Sequence, residues 1–157
     1  MHNILKIIII LIKMCFVNKK ITYEDSMNIV GKLKFNSDSD LFALERDKGL
    51  ESIIGNIYQS FAGQDVYNSI EEKSANFLYL IVKNHVFADG NKRIAATMFL
   101  YFLDKNNALF NDGEKLIDDH TLVALTIMIA ESKPEEKEIM RKCYELNKKA
   151  FTLGANA

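Results

Sequence analysis

The sequence of 157 residues contains no tryptophan, one proline and two cysteines, and it has no excess of either charge. Cys15 and Cys143 lie far apart in apolar or helical contexts, so we expect reduced thiols and no disulfide framework. The three histidines are scattered, which leaves no Cys/His cluster of the kind that binds zinc. A formal net charge of −1, with no basic stripe beside the aromatic residues, argues against nucleic acid as a partner.

The sequence also lacks an apolar run long enough for a membrane helix. The segment 4–17 is interrupted by Lys6 and Lys13 and falls short of the ~20 residues that a bilayer requires. Its basic start is typical of a signal peptide, but no small-residue cleavage site follows. The segment is open to interpretation as a strand, a docking helix or an oligomer contact, and the domain itself could begin near Lys20. We favour a role outside the membrane, in a cytoplasmic protein.

The composition that is present predicts one soluble domain. Hydrophobic residues make up 48% and charged residues 26% of the chain, which is the balance of a globular protein whose length suits a single full core. We divide the chain into an N-terminal apolar segment of uncertain role (1–19), the domain (20–150) and a tail (151–157).

Helix signals dominate that domain. Capping boxes at Thr22 and Ser69 predict helices that begin directly after them. Apolar residues recur at helical spacing between 50 and 61 and again between 94 and 103. The second pattern is apolar nearly all round, which predicts a central helix buried by several partners. Three further signals complete an all-α bundle: a short helical turn that begins at 41–44 and stops near 47–49, a helix that begins at Asp118 or Asp119, and a last helix capped by Ser132 with Pro134 in its first turn.

One stretch holds most of the residues that suit chemistry, and it joins two helical patterns: His85, Val86, Phe87, Ala88, Asp89, Gly90, Asn91, Lys92 and Arg93. A short loop that leads into a helix N-terminus offers unpaired N–H groups and the positive end of the helix dipole, which together bind anions. Gly90 permits a tight turn or a close approach to a ligand. Two cations in the first turn oppose the dipole, which makes sense if a phosphate chain docks between them.

Each of these residues also has a plainer interpretation. A His at the end of an apolar helix usually caps it, whereas a neutral imidazole at His85 would serve as a general base. Asp89 would act as a helix N-cap, bind Mg²⁺, or both. Lys92 and Arg93 could be solvated charges, although their position favours phosphate contact. We expect Phe87 to be buried and to fix the loop in either case.

The run from His85 to Arg93 resembles the signature of the Fic/Doc (Fido) family: His, any residue, Phe, any residue, Asp or Glu, Gly or Ala, Asn, Gly or Lys, Arg. All the fixed positions are present, and the resemblance extends from about Lys20 to Leu146. Lys92 stands where the AMP-transferring branch usually has Gly, and Ala96 stands where that branch has a second Arg. Both departures point to the Doc (death-on-curing) branch. The later part also resembles the Fic-like domain of RhuM-type virulence proteins.

The resemblance implies a helical bundle with a β-hairpin flap at the turn signal of Gly63, Gln64 and Asp65, where the residues alone favour a plain interhelical loop. It implies ATP as co-substrate, Mg²⁺ at Asp89, and a Ser, Thr or Tyr hydroxyl of a target protein as acceptor. Gly90, Asn91, Lys92 and Arg93 would bind the phosphates, and His85 would be catalytic. The Doc branch implies phosphorylation of the target. AMP transfer and a non-catalytic interaction module are the alternatives.

The resemblance also bears on regulation. Many Fic proteins carry an inhibitory helix whose Glu pairs with the second Arg of the signature. Ser132 and Glu136 have the required spacing, but Lys137 follows them and Ala96 replaces that Arg. We therefore expect no self-inhibition of this kind, and a separate antitoxin-like partner is the implied alternative.

Overall fold

The computed structural model describes residues 19–115 and 117–133. The segment 4–17, both cysteines and the helix expected after Ser132 lie outside these residues. Within them the elements follow in the order α1 (Tyr23–Phe35), α2 (Gly49–Ile57), β1 (Ser60–Phe61), β2 (Gln64–Asp65), α3 (Ile70–Lys83), α4 (Asn91–Lys105), β3 (Phe110–Asn111), β4 (Glu114–Lys115) and α5 (Asp119–Glu131). No helix of this described part is long and apolar enough to cross a membrane.

The predicted all-α class with a small hairpin is confirmed. Helix α4 contacts α1, α3 and α5, because its apolar residues lie on more than one side. All six residues of its predicted stripe are buried: Ile94, Ala95, Met98, Phe99, Phe102 and Leu103. The central buried helix was therefore readable from the sequence.

Local signals set the helix starts. Thr22 and Ser69 each accept a hydrogen bond from the residue three positions later, whose acid side chain in turn accepts from the cap backbone. Asp118 caps α5 by accepting from the Thr121 N–H. Each of these caps satisfies N–H groups that the first helical turn leaves without a partner.

Two expectations about the elements were wrong. The helix over 50–61 ends at Ile57, because the chain turns into a hairpin in which Phe61 belongs to β1 and is 81% exposed. Ala62 and Gly63 both have positive φ at its tip, at 51° and 78°, which matches the right-handed twist of paired strands. A second hairpin, β3–β4, follows α4 and turns at Asp112 and Gly113.

The short helical turn expected to begin at 41–44 and stop near 47–49 is also incorrect. Phe42 and Leu44 do close single turns with Ser39 and Leu41, but no helix forms. Residues 42–46 instead run beside the loop 86–89, with bridges between Phe42 and Asp89 and between Glu45 and Phe87. We refer to residues 42–46 as the strap, because they fix the loop that leads into α4.

Candidate active site

The candidate site is the loop between α3 and α4. Helix α3 ends at Lys83, and Asn84 is its C-cap. His85 follows in the left-handed region, with φ 46°, and its side chain is exposed. Glycine normally occupies this position after a helix because a side chain is disfavoured there. The backbone therefore leaves the helical path at His85, and the imidazole is accessible to solvent.

The middle of the loop is fixed from inside the protein. Phe87 is fully buried. The Asn91 carboxamide accepts from the Phe87 N–H at 2.9 Å and donates to the Phe87 carbonyl at 2.7 Å. Asn91 thus joins the first turn of α4 to the loop, and both polar atoms of its side chain are used in doing so.

The strap holds the same loop from the other side through three backbone hydrogen bonds. The Arg46 N–H donates to Val86 O at 2.8 Å, the Ala88 N–H donates to Leu44 O at 2.8 Å, and the Ala43 N–H donates to Asp89 O at 3.1 Å. Since each bond fixes a different part of the loop, its path is set by a segment about 40 residues away in the sequence. No local sequence signal indicates this pairing.

Glu45 in turn holds the strap. Its carboxylate accepts from the Tyr23 hydroxyl at 2.5 Å and from the Leu50 N–H at 2.9 Å. The hydrogen bond to Glu45 is the largest cause that raises the pKa of Tyr23, to about 12, because the carboxylate stabilises the protonated phenol. One side chain therefore ties α1 and the first turn of α2 to the strap.

The N-terminus of α4 differs from those of α1, α3 and α5. Gly90 is its N-cap with φ 87°, no side chain caps it, and its first turn contains no acid. Within the described residues, the N–H groups of Asn91, Lys92 and Arg93 have no hydrogen-bond acceptor. Lys92 and Arg93 are exposed. Three free donors, the positive end of the dipole and two cations together favour an anion.

Asp89 lies two residues before the first residue of this helix. Gly90 takes the N-cap position, so the N-cap role predicted for Asp89 was wrong. Its Oδ1 accepts from the Gly90 N–H at 2.7 Å, and the side chain is exposed. No donor from the described part of the chain reaches its Oδ2. The carboxylate is thus oriented along the helix N-terminus and has one oxygen available.

The three residues expected in a flap lie in the hairpin β1–β2. Gly63 is in its turn, and Gln64 and Asp65 form β2. Asp65 pairs at 3.0 Å with Lys73, whose side chain is 1% exposed and also donates to the Tyr67 carbonyl. Because Lys73 belongs to α3, the start of this helix holds the hairpin and its end leads to His85.

Comparison with known proteins follows the same stretch of chain. A model of the Fic/DOC family matches residues 14–103. The chain is 34% identical over 68 residues to "Protein kinase doc" of Escherichia phage P1, an alignment that covers 43% of this chain and 53% of that protein. The chain therefore spans about half the length of the curated relative that it matches. No solved structure gives a significant match.

Proposed function

The chain belongs to the Fic/DOC family, and from this membership and the loop geometry we propose that it is a transferase. It moves a phosphate-containing group from Mg²⁺-bound ATP to a hydroxyl of a target protein. We propose phosphorylation as the reaction. The observation that carries the proposal is the uncapped N-terminus of α4, with Lys92 and Arg93 exposed in its first turn and His85 at the start of the same loop.

The phosphate chain binds at this N-terminus. Backbone N–H groups of residues 91–93 donate to phosphate oxygens, and the helix dipole adds a fixed positive potential. Lys92 supplies a compact charge, while the planar guanidinium of Arg93 suits two parallel hydrogen bonds to one phosphate. Asn91 fixes the loop, since its carboxamide already binds Phe87.

His85 is the general base. Its exposed imidazole takes the proton from the target hydroxyl while that oxygen forms a bond to the γ-phosphorus of ATP. The bond from the γ-phosphorus to the bridging oxygen breaks, and ADP leaves. Little covalent chemistry remains for the protein in such a transfer, so positioning and charge supply most of the rate.

Asp89 suits Mg²⁺. Magnesium prefers oxygen ligands and is commonly held by one or two carboxylates together with substrate phosphates and water. The Gly90 N–H orients Asp89 through Oδ1, which leaves Oδ2 for the ion. Bound Mg²⁺ would neutralise charge on the phosphates.

Two observations support phosphate transfer over AMP transfer. Lys92 occupies the position at which AMP-transferring members usually carry Gly, and a bulky cation changes the space and charge available to the nucleotide. The matched relative from phage P1 is named a protein kinase.

In this proposal the hairpin β1–β2 acts as a flap, and its free edge binds an extended segment of the target by strand addition.

A paired label-transfer assay tests the proposal. The protein is incubated with a cell lysate, Mg²⁺ and ATP labelled at either the γ- or the α-phosphate. His85→Ala removes the base, and His120→Ala is the matched control because His120 is an exposed histidine on α5. Lysate without added protein gives the labelling by its own kinases, and above this background we expect γ-label on protein with wild type and His120→Ala and none with His85→Ala. Transfer of α-label would establish AMP transfer instead, and transfer of neither label would favour a non-catalytic module.

We further propose that a separate antitoxin-like protein restrains this enzyme, because Ala96 lacks the side chain that an inhibitory Glu would pair with. Expression of the wild type alone should then slow growth, whereas His85→Ala should not. Harmless overexpression of protein that is active in the label-transfer assay would contradict this.

A further inference from the structure

Phe42 of the strap contacts the anion site at two points. Its ring packs against Gly90, so closely that a Cβ built on Gly90 would lie 2.3 Å from Phe42 Cε2. The Arg93 guanidinium carbon lies 5.2 Å from the centroid of the same ring. Phe42 itself is 3% exposed. One buried ring therefore touches both the N-cap of α4 and the arginine at the third position of that helix.

Among the described residues, no other ion pair or ring contact holds the Arg93 side chain. Its side chain is exposed, and no carboxylate of the described residues lies within ion-pair distance of it. A long exposed side chain samples many rotamers, which weakens any contact it makes with a ligand. An aromatic face within about 6 Å attracts a guanidinium and restricts this freedom.

A ring holds an arginine differently from a carboxylate. A carboxylate would neutralise the guanidinium and occupy its forked N–H donors. An aromatic face attracts the cation through the ring quadrupole and leaves the donors in the guanidinium plane for a phosphate. Arg93 can therefore be oriented in advance without losing what makes it useful to an anion.

Lys92 provides a contrast within the same helical turn. It is exposed, and it makes neither an ion pair nor a ring contact with the described part of the chain. Only one of the two motif cations is thus held in advance. The structure therefore distinguishes a fork-shaped donor at position 93, which has a ring contact, from an exposed charge at position 92, which has none among the described residues.

We propose that Phe42 is a positioning residue of the phosphate site: its ring orients Arg93 and fixes the backbone at Gly90, so that the Arg93 guanidinium and the free N–H groups of the first helical turn face the same phosphate. The inference rests on the proposed function, because it takes the ligand of Arg93 to be a phosphate chain. Phe42 acts through Arg93 and Gly90 and has no contact with the reacting atoms.

The test compares Phe42→Leu, Arg93→Met and the double variant by calorimetric binding of Mg²⁺·ATP and of inorganic tripolyphosphate. Phe77→Leu is the matched control, because Phe77 is a fully buried ring that packs on Phe102, 6.2 Å away. We expect Phe42→Leu to weaken binding of both ligands by about two- to fivefold. Phe77→Leu should leave both affinities unchanged. In the Arg93→Met background, Phe42→Leu should have little further effect.

Nuclear magnetic resonance gives a second readout that needs no ligand. The side-chain N–H and δ-methylene protons of Arg93 should be shifted upfield by the ring and should return to ordinary values in Phe42→Leu. If that variant does not fold, Phe42→4-fluorophenylalanine keeps the ring and weakens its negative face, and it should weaken tripolyphosphate binding in the same direction.

The outcomes are distinct. Unshifted Arg93 protons in the wild type would overturn the inference. The inference would also be overturned if Phe42→Leu weakened ligand binding by the same factor in the wild-type and Arg93→Met backgrounds. The wild type could bind tripolyphosphate, and lose affinity on Phe42→Leu only when Arg93 is present, yet transfer no phosphate. This result would overturn the proposed function and leave the positioning role standing. Failure of the wild type to bind tripolyphosphate at all would overturn both.

Discussion

The ring of Phe42 occupies the space that a side chain on residue 90 would need. A Cβ at Gly90 would lie 2.3 Å from Cε2 and 2.6 Å from Cδ2 of that ring. Gly90 also has φ 87°, so two separate constraints require glycine here. The family signature accepts Gly or Ala at this position. In this chain the Phe42 ring leaves no space for the Cβ of an alanine.

Gly90→Ala should therefore lower the free energy of unfolding by more than the left-handed backbone conformation alone explains. Alanine in the left-handed region costs roughly 1–2 kcal/mol, and the collision with Phe42 should add about 1–3 kcal/mol. Gly113→Ala isolates the first cost, because Gly113 has φ 82° and nothing within 4 Å of its built Cβ. Urea denaturation of both variants gives the comparison. Equal losses would show that Phe42 moves aside freely.

His85→Gly should stabilise the protein while abolishing transfer. His85 has φ 46° directly after the C-cap of α3, and glycine adopts this conformation at a lower cost, by about 1 kcal/mol. A histidine that serves only as a helix cap would give the opposite result, a loss of stability. Thermal denaturation and the label-transfer assay together decide between the two. Asn107→Gly is the control: Asn107 has φ 54° after the C-cap of α4, and its replacement should leave transfer intact.

Alkaline pH should loosen the strap through Tyr23. The pKa of Tyr23 is raised to about 12 by its hydrogen bond to Glu45, whereas an unfolded chain has a tyrosine pKa near 10. A raised pKa means that this contribution to stability is complete below about pH 10 and is lost as the pH rises towards 12. The difference in free energy of unfolding between wild type and Tyr23→Phe should shrink over this interval. A constant difference from pH 8 to 11 would show that the bond to Glu45 does not form in solution.

The ion pair at the hairpin should respond asymmetrically to removal of its partners. The Lys73 side chain is 1% exposed and the Asp65 side chain 42% exposed. Asp65→Ala leaves a buried ammonium with only a carbonyl partner, which should cost about 3 kcal/mol. Lys73→Met leaves a carboxylate that water can reach, so it should cost less. Denaturation of both variants measures the asymmetry, and limited proteolysis near Gly63 reports whether the hairpin itself has loosened. A larger loss with Lys73→Met would contradict the burial that the structure shows.

Much of the scaffold of this site was readable from the sequence, because local rules set it. The capping boxes at Thr22 and Ser69 and the apolar stripe of α4 involve residues within a few positions of one another. Their outcome depends on helix periodicity and on unpaired N–H groups, which act over one or two turns. The helices on either side of the loop follow from these rules.

The support of the loop was not readable in this way. Phe42 and Glu45 belong to a segment that the local pattern assigns to a short helical turn, yet the bridges and the ring contact by which they support the loop reach residues 87–93, more than 40 positions further along the chain. Isolated β-bridges have no sequence periodicity, since each involves a single pair of residues. The left-handed conformation of His85 was missed for a related reason: histidine gives no signal for it, whereas glycine would have done.

The strap has a consequence for how the site comes into being. A fragment that begins after residue 46 would contain every letter of the family signature and none of the three backbone partners that shape it. The signature is thus continuous in the sequence, although its conformation depends on tertiary contacts. Since its partners are about 40 residues distant in the sequence, the loop reaches its working shape only after a long segment of chain has closed on itself. During synthesis and refolding, catalytic competence should therefore appear after the helices have formed and together with the global fold.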